Sequence, residues 1–461
     1  EDFMIQAAKE FTNVTFAPNS KLEEIPAYCF GGSSSKYVRF TSVDLPDGIK
    51  SIGYRAFYYC KSLTSIGIPA SVEVIGSDFY DVGPSLVESS AVNGLTYYTV
   101  KTPVMKGENG KSYAFDYCTA LNTVTFEKDD TTNADGSKKY PYGTSLKEIR
   151  SCAFSNCSAL ETIAIPATTE TILDQVFLNC KKLGSVTFDT YEVKTAVDGV
   201  ETTTNVCNLV QIDDKAFSNV GTLVTAGWRF VFPETAEGRL LLGQSLFTGC
   251  KTLLSVEISK SVTDILGVMS GCTAELEIAE GHSNLFIDKD NNLVYNADMA
   301  IIGLIGAPKT DDAGNYTIPS GYTTIMPQAY QGRTEIKSLV IPATVKKIGS
   351  QAFLKCTKLV SVTFESSDEN PSQLVYMGSE VFAACSSLTT ANIPGKLGYV
   401  PDGTFFGCSA LNNVTLEEGI KTIGYVGVYD NFAGNSLKDY YDEIDYAVMG
   451  ISYSGAGYQG N

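Results

Sequence analysis

Apolar positions along this chain recur in a fixed order. One turn reads Leu63-x-x-Ile66-x-Ile68-Pro69-x-x-Val72-x-x-Ile75, and the residues just ahead of it supply Ala56-Phe57-x-x-Cys60. The alternation at the end of Leu-x-x-Ile-x-Ile predicts a short strand with its apolar side inward, stopped by proline. Val-x-x-Ile predicts a second extended segment, and Ala-Phe-x-x-Cys a closing turn with Phe as the largest core filler. Phe154 and Cys157 return 23 residues later as Phe177 and Cys180, Phe382 and Cys385 return as Phe405 and Cys408, and Tyr330 and Phe353 keep the same step. A period of this length makes each unit one supersecondary element that cannot bury its apolar face alone. Neighbouring units must stack, with their strands side by side in parallel, to make a continuous core.

Within Leu-x-x-Ile-x-Ile every x points outward, so the exposed ribbon can be read directly. It carries Thr64, Ser65 and Gly67, then Asn122, Thr123 and Thr125, then Glu161, Thr162 and Ala164, then Gly184, Ser185 and Thr187. The face is small, neutral and hydroxyl-rich. Threonine suits strands and water alike, and the same surface makes a shallow platform on which Thr123, Thr125, Thr162 and Thr187 are candidate contacts.

Insertions narrow the search. The last strand residue and the following Ile are seven apart in regular units, as in Ile68 to Ile75 and Ile341 to Ile348, but 23 apart from Phe126 to Ile149, 24 from Phe188 to Ile212, and 13 from Phe364 to Met377. All three extra loops leave just after the strand and are expected to project from one edge, as insertions on the binding face of repeat proteins do. They place Tyr140 and Tyr142 in the first loop and Tyr191 in the second as candidate contacts, because tyrosine offers large area at low entropy cost.

Composition sets the remaining bounds. A net charge of −18 over 461 residues disfavours nucleic acid and anionic membranes as partners, and no apolar run nears the ~20 residues that span a bilayer. Eight of the twelve cysteines, from Cys60 to Cys408, share one repeat position; stacked rungs would hold them ~4.8 Å apart with parallel vectors, which favours buried thiols over disulfides. Cys29, Cys152, Cys207 and Cys272 fall off that position, and one bridge among them stays open. His282 is the only histidine and reads as a surface residue, which leaves no Ser-His-Asp, Cys-His or Cys/His zinc constellation. Asp288-Lys-Asp290-Asn-Asn292 opens like a calcium loop but fails at Leu293 and Met299, so a hairpin turn is expected there. No cofactor, metal or catalytic residue is expected. Paired carboxylates brought together from distant positions are the one route left to a glycan-active enzyme.

The motifs at Leu63 to Ile68, Val345 to Gly349 and Ala352 to Cys356 resemble the BspA-like leucine-rich repeats, a family of bacterial and protozoan cell-surface proteins. The resemblance covers roughly residues 11 to 424. It implies a mostly β, right-handed leucine-rich-repeat solenoid of ~23-residue units with a parallel strand ribbon on one face. The expected organisation is a single solenoid over 1–461, interrupted by a hairpin at about 284–304 and closed by an irregular cap over 425–461. The chain opens at Glu1 without a leader-like stretch, while the resemblance implies export to the cell surface or medium. The expected function is non-enzymatic: a monomeric binding or adhesion protein for an extracellular macromolecule, a protein first and a glycan as the alternative.

Overall fold

The computed structural model describes residues 14–17, 20–32, 38–77, 86–92, 95–100, 111–140, 142–197, 200–265, 267–269 and 271–423. The cap expected over 425–461 lies outside them, as do residues 11–13 at the start of the array. The chain divides into two compact units, Glu1–Ser261 with Gly271–Ala274, and Val262–Ser270 with Glu275–Asn461. Each is built from parallel ladders of short strands with almost no helix, a β-solenoid.

In the first unit, one ladder is the outward ribbon. Ser42–Asp44, Ser65–Ile68 and Thr123–Phe126 pair in parallel, as do Thr162–Ile165 with Ser185–Phe188 and Trp228–Val231 with Leu253–Ile258. Ile66 stands opposite Val124 and Ile163 opposite Val186, so inward residues meet inward residues across each rung. The second ladder comes from the Val-x-x-Ile segments: Glu24–Ile25, Ser51–Gly53, Val74–Ser77, Glu148–Ile149, Thr171–Ile172, Gln211–Ile212 and Leu241–Leu242 form one seven-stranded sheet. In the second unit the corresponding ladders are Asn315–Thr317 through Asn413–Leu416, five strands, and Ala300–Leu304, Thr324–Ile325, Lys347–Ile348 and Tyr376–Met377. Leu285–Asp288 and Leu293–Asn296 form an antiparallel hairpin on the last ladder, with Asn292 at φ 57° in its turn and Asp288 accepting from Asn291.

Between the ladders runs an aromatic spine. Phe57, Phe115, Phe154, Phe177 and Phe217 are fully buried, and consecutive rings stack with centroids 4.9–5.8 Å apart and planes within 10°. Tyr330, Phe353, Phe382 and Phe405 repeat the arrangement in the second unit. The cysteines three residues after each spine aromatic explain themselves chemically. Each Sγ–H donates to the carbonyl of the spine aromatic one rung back: Cys118 to Phe57 at 3.1 Å, Cys157 to Phe115 at 3.2 Å, Cys180 to Phe154 at 3.2 Å, Cys385 to Phe353 at 3.3 Å. A small apolar residue with one weak donor fills the corner and satisfies the second lone pair of a buried carbonyl.

None of the twelve cysteines, all of them described, forms a disulfide, so the bridge left open among Cys29, Cys152, Cys207 and Cys272 is not made. Burial pushes the Cys152 and Cys250 thiols up to about 12 and Cys408 up to about 11. Only the thiolate reacts, and only when reagent can reach it. Maleimide titration of the native protein at pH 8 is therefore expected to label the half-exposed Cys29 first and the other eleven only on unfolding, with twelve labels in denaturant. Rapid labelling of several native thiols would contradict the ladder.

The Ala-Phe-x-x-Cys turn makes a demand the sequence concealed. The residues before Ala and before Cys both adopt left-handed backbone: Arg55 and Tyr59, Tyr113 and Tyr117, Cys152 and Asn156, Gln175 and Asn179, Gln351 and Lys355. Asparagine tolerates this region, and tyrosine adopts it only under compulsion from the packed rungs.

His282 corrects its sequence-based expectation. It is 7 % exposed rather than on the surface. Nδ1 accepts from the Asn284 and Leu285 amides at 3.1 and 3.0 Å, and Nε2 donates to the Val262 carbonyl at 2.8 Å. A polar ring is buried here because backbone groups at the start of the hairpin need partners.

Candidate functional site

The first two insertions meet. Strand Thr123–Phe126 continues one residue along the ladder, with Glu127 N donating to Ile68 O, before the first insertion departs; Asp189 N donates to Ile165 O before the second. The first stays a loop, pinched by a Thr132–Lys138 bridge and by Lys138 on Asp130 and Lys139 on Asp129. The Lys139 hydrogen bond holds the Asp129 carboxyl down at about 2. The second is not a loop: Tyr191–Val197 and Val200–Val206 pair as an antiparallel hairpin. Its alternating Thr and Val residues carried that signal.

Tyr142 and Tyr191 stack ring on ring, centroids 3.9 Å apart and planes 13° from parallel. The Tyr191 hydroxyl donates to Asn208 Oδ1 at 2.7 Å, and Lys128 Nζ sits 2.8 Å from Asp189 Oδ2. Both insertions are thus cross-tied, although an exposed ion pair of this kind contributes little energy by itself. Tyr142 remains 40 % exposed. Tyr140, half-buried in the same insertion, lies under the Lys139 ammonium at 5.0 Å. Two tyrosines 49 positions apart in sequence become one rigid aromatic platform.

Thr123, Thr125, Thr162 and Thr187 are exposed on their strands, with Ala164 opposite Thr187 and Gly67 opposite Thr125. They line the ribbon. Farther along the same unit the ribbon is less bland than its first rungs: Val231 and Leu254 are half exposed.

The third insertion, in the second unit, closes on itself through Ser367 N to Asn370 O and Ser372 N to Ser366 Oγ. A fourth went unread. Ile75 and Ala114 are 39 apart where Ile52 and Ala56 are four apart, and the extra chain holds an antiparallel hairpin of Leu86–Val92 with Leu95–Val100. It departs after the second strand, so the rule that all insertions leave at one phase fails there. The spacing of Ile to Ala, unlike that of strand to Ile, had the signal.

Sequence reasoning also missed an amide ladder. Asn179 Nδ2 donates to Asn156 Oδ1 at 2.9 Å and Asn219 Nδ2 to Asn179 Oδ1 at 3.1 Å, while Asn156 Nδ2 donates to Asp116 Oδ1 at 2.8 Å. Burial raises the Asp116 carboxyl above its usual range, against the hydrogen bonds from Asn156 and Ser155 that favour the charged form.

Among the described residues no group of three or more His, Cys, Asp or Glu side chains is placed to hold a metal ion, and no helix is long and apolar enough to cross a membrane. No curated protein matches the sequence. Solved structures similar to it include a leucine-rich cell surface protein of Faecalibacterium prausnitzii A2-165, 18 % identical, covering 87 % of this chain and 92 % of that one with a TM-score of 0.40. The pneumococcal vaccine antigen PcpA is 16 % identical over 88 % of each chain, with a TM-score of 0.44. A leucine-rich repeat protein of Eubacterium ventriosum ATCC 27560 is 17 % identical over 67 % of this chain and 79 % of that one, with a TM-score of 0.45. The model of the BspA type leucine rich repeat region matches in six copies, over residues 6–102, 108–220 and 311–439. With the repeat motif, the parallel ladders and this match over well more than half its length, the chain belongs to the BspA-type leucine-rich repeat family.

Proposed function

We propose that this protein is a non-enzymatic binding protein of the cell surface, acting as a monomer, that holds an extracellular protein at the insertion-bearing edge of its first unit. The observation that carries the reading is the Tyr142–Tyr191 stack, in which two separate insertions are locked together around exposed aromatic surface. Ordering is complete before the partner arrives, so binding loses little side-chain entropy. The non-enzymatic part is supported by His282, the only histidine, whose two ring nitrogens are both engaged by backbone. No general base of that type is left for acyl-transfer chemistry.

The experiment is a solid-phase binding panel of purified extracellular matrix proteins. The Tyr142→Ala/Tyr191→Ala variant is expected to lose at least tenfold in affinity for whichever protein the wild type holds, since buried tyrosines at an interface centre carry about 2 kcal/mol or more each. Its thermal midpoint should stay near that of the wild type. A double variant that binds as well as the wild type would remove the insertion edge from the mechanism.

A further inference from the structure

The left-handed position before Cys forms a column up the first unit, and its occupants change along the way. Tyr59 and Tyr117 come first, at φ 59° and 61°, then Asn156, Asn179 and Asn219, then Gly249. The two tyrosine rings face one another at 4.7 Å with planes 17° apart. One rung later the column drops from a ring to an amide. The far face of Tyr117, a residue 37 % exposed, therefore stands above the shorter asparagines as a wall at the end of a step. At the other end a Cβ on Gly249 would fall on Asn219 Oδ1, so glycine lets that amide lie over the backbone.

Asp116 sets the polarity of the step. A carboxylate only accepts, so Asn156 must present its N–H there, and Asn179 and Asn219 follow in the same sense. Each inter-rung bond uses one amide N–H and one carbonyl lone pair. Asn156 and Asn179 each keep one N–H donor and one acceptor lone pair, held in fixed directions by backbone that the packed rungs determine. Two rung spacings of about 4.8 Å carry the three asparagines over roughly 10 Å, and the further spacing to Tyr117 extends the step to roughly 14 Å, the reach of a short oligosaccharide.

We propose that the Asn156–Asn179–Asn219 ladder, with Tyr117 as its end wall, binds a neutral glycan chain lying along the column. Paired donor and acceptor on one amide match adjacent sugar hydroxyls, and the C–H face of a terminal ring matches the open face of Tyr117. A peptide fits worse. The backbone amides beneath the ladder are spent on the next rung, Asn156 N on Leu178 O, Asn179 N on Ser218 O and Asn219 N on Thr248 O, so no strand can be added there. An acidic glycan would be repelled by the −18 charge of the chain. This site is separate from the tyrosine pair at the insertion edge and stands or falls without it.

Affinity electrophoresis of the whole chain tests the site in gels containing galactomannan, xylan or laminarin, with gelatin, a polypeptide carrying charges of both signs, as the peptide control. Retardation by at least one of the three polysaccharides is expected. Tyr117→Ala and Asn179→Gly should each weaken it at least tenfold, while Tyr117→Phe and the Tyr142→Ala/Tyr191→Ala pair leave it unchanged. Asn179→Gly removes the amide while keeping a residue that accepts left-handed backbone, as Gly249 does at the same position, so its loss of binding is not a loss of fold. The proposal is overturned by no retardation in any of the three gels, by equal retention on gelatin, or by binding that survives either variant.

Discussion

Phe154→Ala is expected to destabilise the first unit by about 3–5 kcal/mol, the cost of emptying a fully buried aromatic site that cannot collapse. The ring lies between Phe115, 5.0 Å away and 1° from parallel, and Phe177, 5.8 Å away and 7° from parallel, with no exposed surface. Its removal forfeits the transfer energy, two stacking contacts and the packing of both neighbours. The parallel ladders on either side hold the rungs apart, so the space stays open. Phe154→Leu, which keeps most of the volume, should cost no more than about 1.5 kcal/mol. Urea unfolding followed by circular dichroism measures both, with hydrogen exchange locating the loss at the rungs of Phe115 and Phe177. A Phe154→Ala cost below about 1 kcal/mol would mean that the spine does not hold the rungs together.

Gly349→Ala should cost about 1–3 kcal/mol or more for the opposite reason, an atom added where none fits. Gly349 ends Val-x-x-Ile-Gly, and its N–H donates to Ile325 O at 2.8 Å. A Cβ there would lie on the backbone nitrogen and ring of Pro327 in the neighbouring rung. A proline ring fused to its own backbone cannot swing aside, so the rungs themselves must part. Gly303, with nothing within 4 Å of a built Cβ, is the control, and Gly303→Ala should change stability by less than about 0.5 kcal/mol. Equal thermal midpoints for the two variants would refute close approach of the rungs as the reason for this glycine.

Much of the candidate site was legible because a repeat converts sequence distance into spatial order. The strand ends at Phe126 and Phe188 fixed where two insertions leave, and the tyrosines near them were found by that phase. What lay beyond reach was which insertion side chains touch. Tyr142 and Tyr191 meet only because the second insertion folds as a hairpin, and the Asn ladder was hidden because insertions stretch its steps: Asn179 follows Asn156 by 23, but Asn219 follows Asn179 by 40.

The sequence alone determined the stacking of units, the inward positions, the aromatic spine and the cysteine column, because each follows from hydrophobic period and from the need of one unit to be covered by the next. Tertiary structure alone decided how polar groups are spent. The burial of His282, the left-handed backbone that carries both tyrosine and asparagine, the pairing of thiols with carbonyls and the direction of the amide ladder all depend on partners one rung away. A hydrophobic residue needs only a face to point at, and periodicity supplies one. A hydrogen bond needs a particular atom at about 3 Å, and only the folded chain says which atom that is.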